Sequence, residues 1–156
     1  MAIQWFLSAR RFAAVYGAFA PLLIVAAAPP DSCSPTVSCV DDPRVSKTAT
    51  GLEKQSAQGT FKVRIESAIP NPPARYTNTW VIRIFDASGA AIVGARVVPD
   101  LFMPDHNHYQ PPPVVTANAN GTYSVTGFEL AMPGIFQVIF KLPDRGTDSV
   151  SFYFCV

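Results

Sequence analysis

Both histidines of the chain lie in a stretch of eight residues, 101–108, which also contains Met103. An imidazole offers a nitrogen ligand and a thioether offers a soft sulfur, so the combination suits copper better than magnesium or calcium. The spacing Met-x-x-His-x-His lets Met103, His106 and His108 converge only if the stretch curls into a loop. Prolines within and after the stretch restrict how that loop can move. The stretch is therefore a candidate copper-binding loop. The alternative is a polar surface loop whose histidines only titrate near neutral pH.

A second methionine, Met132, is a candidate for a fourth ligand. It precedes Pro133 and Gly134, and a Pro-Gly dipeptide is typical of a type II turn, so those two residues need no other role. By itself, Met132 is most simply explained as a flexible apolar side chain that fills the core. If its turn lies at the same end of the fold as the histidine loop, the Met132 sulfur is placed where it could act as a fourth metal ligand, which the connectivity permits but does not require.

The chain shows no arrangement of residues typical of an enzyme. Catalytic zinc usually takes three nitrogen or oxygen ligands, and Asp105, His106 and His108 could supply them only with strained geometry. A histidine-based triad also needs a nucleophile and an orienting acid, and the sequence locates neither. We therefore predict that the protein is not an enzyme.

The elements that must position these side chains are strands. Between residue 59 and the end of the chain, apolar and polar residues alternate with a period of two, and no stretch after residue 45 has a helical period with caps. The turn at Asn120-Gly121 suits a hairpin that needs positive φ. This pattern predicts an all-β, immunoglobulin-like antiparallel β-sandwich of six to seven strands. The predicted strands cover residues 60–66, 79–86, 114–117, 122–128, 134–142 and 149–156, with residues 95–98 leading into the histidine loop.

The first residues have the composition of an export signal. Residues 1–28 contain two arginines and no acidic residue, followed by an almost wholly apolar run, so they are predicted to be a secretory signal peptide. The alternative is a retained membrane anchor. Residues 29–58 are rich in Pro, Ser, Thr and Asp and are predicted to form an extended or disordered leader. The β-sandwich domain is predicted over residues 59–156.

The charge balance of the exported part excludes one class of partner. Residues 29–156 contain 10 Lys and Arg against 11 Asp and Glu, so no basic surface is expected to neutralise phosphates. We predict no nucleic-acid partner. Since no second long apolar run follows, membrane contact is expected only through the N-terminus, if it is retained or lipidated.

Three cysteines, Cys33, Cys39 and Cys155, lie at the two ends of the exported part. In an oxidising compartment a disulfide is expected. A Cys39–Cys155 bridge would close nearly the whole domain into one loop, which is worth about 4–5 kcal/mol in the chain-entropy model. Cys33 would then be free, or lipidated as the first residue of a lipoprotein. A Cys33–Cys39 bridge is the competing pairing.

Three motifs together resemble a known family. The run from Met103 to His108, the sequence Asn120-Gly121-Thr122-Tyr123 and the sequence Met132-Pro133-Gly134 are similar to those of the YtkA-like/FixH-like family of exported bacterial β-sandwich domains. The resemblance covers about residues 59–142. It implies an immunoglobulin-like fold, a location in the periplasm or cell envelope, and a role in copper handling or in assembly of a copper-containing respiratory oxidase.

The family pattern carries over to four residues as ligands of a copper ion: Met103, His106, His108 and Met132. The family usually has glycine between and after the two histidines. Asn107 and Tyr109 take those places here, and we expect them to stiffen the loop.

Two functions follow from the sequence. The first is an exported envelope domain that binds copper or delivers it to a copper-accepting envelope or membrane protein. The second is a structural or protein-interaction module without metal. It is suggested by a second resemblance, to transthyretin-like modules, which is carried by Asp86-Ala87-Ser88-Gly89, Gly94-Ala95 and Asn120-Gly121-Thr122-Tyr123. Imidazoles turned apart, with Met132 buried away from them, would favour the second.

Overall fold

The computed structural model describes residues 39–156, which form a sandwich of two antiparallel sheets. Its nine strands are β1 (Glu53–Gln55), β2 (Phe61–Ile69), β3 (Tyr76–Asp86), β4 (Val98–Met103), β5 (His108–Gln110), β6 (Val114–Ala117), β7 (Thr122–Leu130), β8 (Ile135–Lys141) and β9 (Ser149–Cys155). One sheet has the order β1-β2-β3-β7-β6 and the other the order β5-β4-β8-β9. Two short 3-10 helices cover Cys39–Asp41 and Pro143–Arg145. No helix in this part of the chain is long and apolar enough to cross a membrane.

The prediction of an all-β antiparallel sandwich is confirmed, but the predicted number of six to seven strands is too low. The additional strands are β1 and β5, which have three residues each. A strand of three residues is too short to display a period of two, so hydrophobic alternation cannot reveal it. The segment predicted to lead into the histidine loop begins its strand later than expected, at Val98.

The core lies between the two sheets and is built from alternate residues of the long strands. Trp80 is at its centre, with ring centroids 4.6 Å from Phe128 and 5.3 Å from Phe154. The inward faces of β7 and β8 consist of five fully buried residues: Tyr123, Val125, Phe136, Val138 and Phe140. Burial of this apolar surface is the main favourable contribution to folding.

The domain begins earlier in the chain than residue 59. Ala49 is 0% exposed, and β1 pairs with β2. The Asn71 side-chain carbonyl accepts hydrogen bonds from the backbone of Ala49, at 2.8 Å, and from the hydroxyl of Thr48, at 3.0 Å. Residues 39–58 are therefore part of the sandwich, in correction of the predicted leader. The predicted signal peptide and residues 29–38, including Cys33, lie outside the described residues.

A disulfide joins the two ends of the described chain. Cys39 and Cys155 are 116 residues apart in sequence, and their Cα atoms are 5.5 Å apart. This is the pairing that closes nearly the whole domain into one loop. The neighbouring residue Val156 exchanges backbone hydrogen bonds of 2.9 and 3.0 Å with Gly134. The disulfide therefore lies at the same end of the sandwich as the Met132 loop.

Lys54 has an unusual position for a lysine, on the inner face of a strand at the sheet edge. It is directly opposite the buried Val63 in the β1–β2 ladder, so both side chains point toward the core. Its Nζ lies 5.6 Å from the ring centroid of Phe152 and 5.7 Å from that of Tyr153, both in β9. Burial lowers the pKa of the Lys54 ammonium. The two aromatic rings supply cation–π contacts in place of part of its hydration.

Candidate metal centre

The predicted histidine loop is a hairpin between β4 and β5. Met103 ends β4 and His108 begins β5, and the two residues face each other directly in the ladder. Four residues, 104–107, make the turn, and the His106 amide donates a 3.2 Å hydrogen bond to the Met103 carbonyl. Because directly opposite residues point to the same face of a sheet, Met103 and His108 share the inner side of the hairpin. The turn is thus shorter than the stretch 101–108 that the sequence singled out, because residues 101–103 and His108 lie in strands.

Asn107 explains how the turn forms without the glycine that is usual in the resembling family. Its φ is +51°, in the left-handed region. Asparagine enters this region more readily than most residues because its short polar side chain can bond locally. The substitution therefore preserves the turn that brings His106 and His108 back toward each other. Their ring centroids lie 5.8 Å apart, with the planes at 68°.

Gly134 is where Met103 and His106 come together. A Cβ added to Gly134 would lie 3.3 Å from Cε of Met103 and 3.7 Å from Nε2 of His106. Gly134 also has a φ of +134°, which a residue with a side chain rarely adopts. The absent side chain leaves a small space bordered by a thioether methyl and an imidazole nitrogen. The loop that contains Met132 therefore packs directly against the hairpin turn.

Gln110 links two of the predicted ligands. Its amide nitrogen is 2.6 Å from Nε2 of His108 and 3.9 Å from Sδ of Met103. On the other side of the ring, Nδ1 of His108 is 3.4 Å from the His106 carbonyl oxygen. A carbonyl only accepts hydrogen bonds, so this contact favours the tautomer with its proton on Nδ1. The lone pair on Nε2 then points at the Gln110 amide.

Met132 differs from the other three predicted ligands. Its side chain is half-buried and packs against the hydrophobic core, two residues before Gly134 in the loop after β7. The backbone thus places Met132 at the same end of the sandwich as the histidine hairpin. The contacts that converge around Gly134 and Gln110 come from Met103, His106 and His108.

The carboxylates near the hairpin are paired with arginine. Asp105 is half exposed, and its side chain lies 3.6 Å from Arg44. Arg44 also donates hydrogen bonds to Asp42, which lowers the pKa of that carboxyl to about 2. Within residues 39–156, no three His, Cys, Asp or Glu side chains cluster as a metal site.

Sequence reasoning did not identify Gln110 or the role of Gly134. Gln110 follows His108 by two positions, so the two side chains share one face of a strand. The contact between Gln110 and His108 can be inferred from this spacing only once β5 is known to be a strand. Gly134 was assigned to a type II turn, whereas its φ of +134° is far from the value near +80° of such a turn. The backbone of Gly134 pairs with that of Val156, through the two hydrogen bonds described above.

Comparison with known families gives one result. A family model described as YtkA-like matches residues 55–141, more than half of the chain. The matched range includes the hairpin, the Met132 loop and all four predicted ligands. It confirms the YtkA-like resemblance found in the sequence. No curated protein and no solved structure gives a significant match.

Proposed function

Because the chain belongs to the YtkA-like family, we propose that its β-sandwich binds Cu(I) as cargo in the cell envelope and delivers it to a copper-accepting envelope or membrane protein. Met103, His106 and His108 form the core of the site in this proposal, and Met132 adds the fourth ligand. The observation that carries the proposal is the meeting of Met103 and His106 over Gly134, with His108 directly opposite Met103.

The chemistry of these donors supports Cu(I) over harder cations. Thioether sulfur is a soft ligand and imidazole binds copper in both oxidation states, while magnesium and calcium prefer oxygen. Met103 is 0% exposed, which gives the site a dry inner side. His106 is exposed on the turn, so an acceptor protein can reach the ion from solvent. A buried sulfur and an exposed imidazole suit a site that must both hold copper and release it.

One observation favours the second candidate function, a structural or protein-interaction module without metal. The Gln110 amide already occupies the Nε2 lone pair of His108 and lies beside the Met103 sulfur. In this alternative the three side chains only fix the hairpin against the sandwich. The two candidate functions predict different effects of replacing a methionine by leucine, which removes the sulfur and keeps the volume of the side chain. Only a metal site loses metal affinity in such a variant, because only a metal site depends on the sulfur atom.

The test is a Cu(I) competition titration of the purified protein against a chromophoric Cu(I) chelator, with ascorbate as reductant. We expect a one-to-one complex that Met103→Leu and His106→Ala each weaken at least about tenfold, or about 1.4 kcal/mol. Leucine keeps the volume of methionine, so Met103→Leu removes the sulfur with little change in packing. Met132→Leu tests the fourth ligand in the same way.

Asn107→Gly is the matched control, since it keeps the left-handed turn and all four donors. We expect it to bind Cu(I) as the original protein does. If the original protein forms no one-to-one complex, copper delivery is excluded and the module without metal is favoured. If Met103→Leu binds as tightly as Asn107→Gly, the proposed site with Met103 at its core is wrong.

A further inference from the structure

The Gln110 amide contacts two atoms that the proposed site would use as metal ligands, Nε2 of His108 and Sδ of Met103. We infer that Gln110 is a regulatory residue of the proposed copper site: its amide occupies His108 and Met103 in the metal-free protein and must be displaced when Cu(I) binds. The inference rests on the proposed function and adds to it a competitor supplied by the chain itself.

The hydrogen-bond pattern is consistent around the whole network. With the His108 proton on Nδ1 facing the His106 carbonyl, Nε2 can only accept, so the group 2.6 Å away must be a donor. The Gln110 amide nitrogen carries two hydrogens. One reaches Nε2 of His108 and the other points toward Sδ of Met103, 3.9 Å away. One amide thus occupies a nitrogen lone pair and a sulfur lone pair together.

These are the same lone pairs that would bind the metal. Cu(I) cannot coordinate Nε2 of His108 while a hydrogen bond takes up that lone pair. The metal must therefore displace the Gln110 amide, and the free energy of binding is reduced by the hydrogen bonds that are broken. When the ion leaves, the amide can take its position again. Gln110 thereby weakens the complex and assists release, as a delivery protein requires.

The position of Gln110 allows this movement. It ends β5, the edge strand of the four-stranded sheet, and its side chain is half-buried. The next residues are Pro111, Pro112 and Pro113, which restrict the backbone at the end of β5. Displacement therefore needs a rotamer change and no rearrangement of the sheet.

The test compares Gln110→Leu with Gln137→Leu. Gln137 is a matched control because it is also a half-buried glutamine of the same sheet, and its amide donates a 3.0 Å hydrogen bond to Ser151 on the outer face. We expect Gln110→Leu to bind Cu(I) about tenfold more tightly than the original protein, from loss of about one to two hydrogen bonds. Gln137→Leu should bind as the original does. Gln110→Ala serves as a second variant of the same contact.

A measurement without metal separates this inference from the proposed function. Long-range ¹H–¹⁵N spectra of the metal-free protein should show the His108 Nε2 resonance shifted in Gln110→Leu and unshifted in Gln137→Leu. An unshifted His108 resonance in Gln110→Leu, or Cu(I) affinity that is equal or lower in that variant, overturns the role of Gln110 while leaving copper binding intact. If the original protein binds no Cu(I), the proposed function itself fails, and the inference fails with it.

Discussion

Replacing Asp148 by asparagine is expected to lower the thermal unfolding midpoint by roughly 10 °C. Asp148 is only 3% exposed. Its carboxylate accepts hydrogen bonds from the hydroxyls of Ser56 and Thr60, both at 2.6 Å, and from the backbone amides of Gln58, Thr60 and Ser149, at 2.9, 3.2 and 2.8 Å. These contacts tie the β1–β2 turn to the start of β9. An amide of the same shape would direct N–H groups at donors, which leaves buried donors unsatisfied.

The same carboxylate makes stability depend on pH. Burial by itself would raise the pKa of Asp148, but hydrogen bonds from Ser56, Thr60 and Gln58 outweigh it and hold the pKa below the ordinary value of 3.8. Because the folded pKa is lowered, this contribution to stability is fully present above the unfolded pKa and is lost as pH falls toward the folded pKa. The stability difference between the original protein and Asp148→Asn should narrow below about pH 4.

Asp144→Asn is the control for this experiment. Asp144 is exposed in the 3-10 helix Pro143–Arg145, four residues from Asp148, and its replacement makes the same change in charge. We expect its unfolding midpoint to stay within about 2 °C of the original. Equal midpoints for the two variants, measured by circular dichroism at pH 7, would show that the hydrogen bonds of Asp148 do not stabilise the fold.

The second large effect is expected from the disulfide. In a Cys33→Ser background, Cys39→Ser with Cys155→Ser should lower the free energy of unfolding by about 4–5 kcal/mol, since the bridge closes a loop of more than 100 residues in the unfolded chain. Denaturant unfolding measures this change in free energy, from the denaturant concentration at the unfolding midpoint and the slope of the free energy against denaturant concentration.

Cys33→Ser alone is the control, and we expect it to unfold as the original does. If Cys33→Ser alone causes the loss of stability, the functional pairing is Cys33–Cys39, the competing bridge that the sequence left open. If the triple variant is as stable as Cys33→Ser, the Cys39–Cys155 bridge does not stabilise the protein.

The long strands could be predicted from sequence because each buries one face. In β2, for example, Phe61, Val63 and Ile65 are buried while charged residues lie between them. The short strands β1 and β5 could not be predicted, because their place depends on pairing with a neighbour and not on their own pattern. Residues 39–58 gave no sign of a fold for the same reason. Ala49 is a small residue whose burial depends on contacts with distant parts of the chain, such as Asn71.

The residues of the candidate site could be singled out from the sequence, but their arrangement in space could not. Met103, His106 and His108 were singled out by chemistry and spacing, and the structure gathers all three at one end of the sandwich. The role proposed for Gln110 depends on the register of the β4–β5 hairpin, where Gln110 pairs with Leu101. Register is decided by the packing of both strands, so a single sequence gives no direct reading of it.

Lys54 bears on how this protein avoids aggregation. Among residues 39–156, β1 is the terminal strand of its sheet, and sheet edges can template the addition of a strand from another molecule. A foreign strand that paired with β1 and extended the sheet would have to cover the Lys54 ammonium with its own apolar side chains, at a high desolvation cost. The lysine whose ammonium lies against the Phe152 and Tyr153 rings is therefore expected to disfavour the addition of a foreign strand at β1.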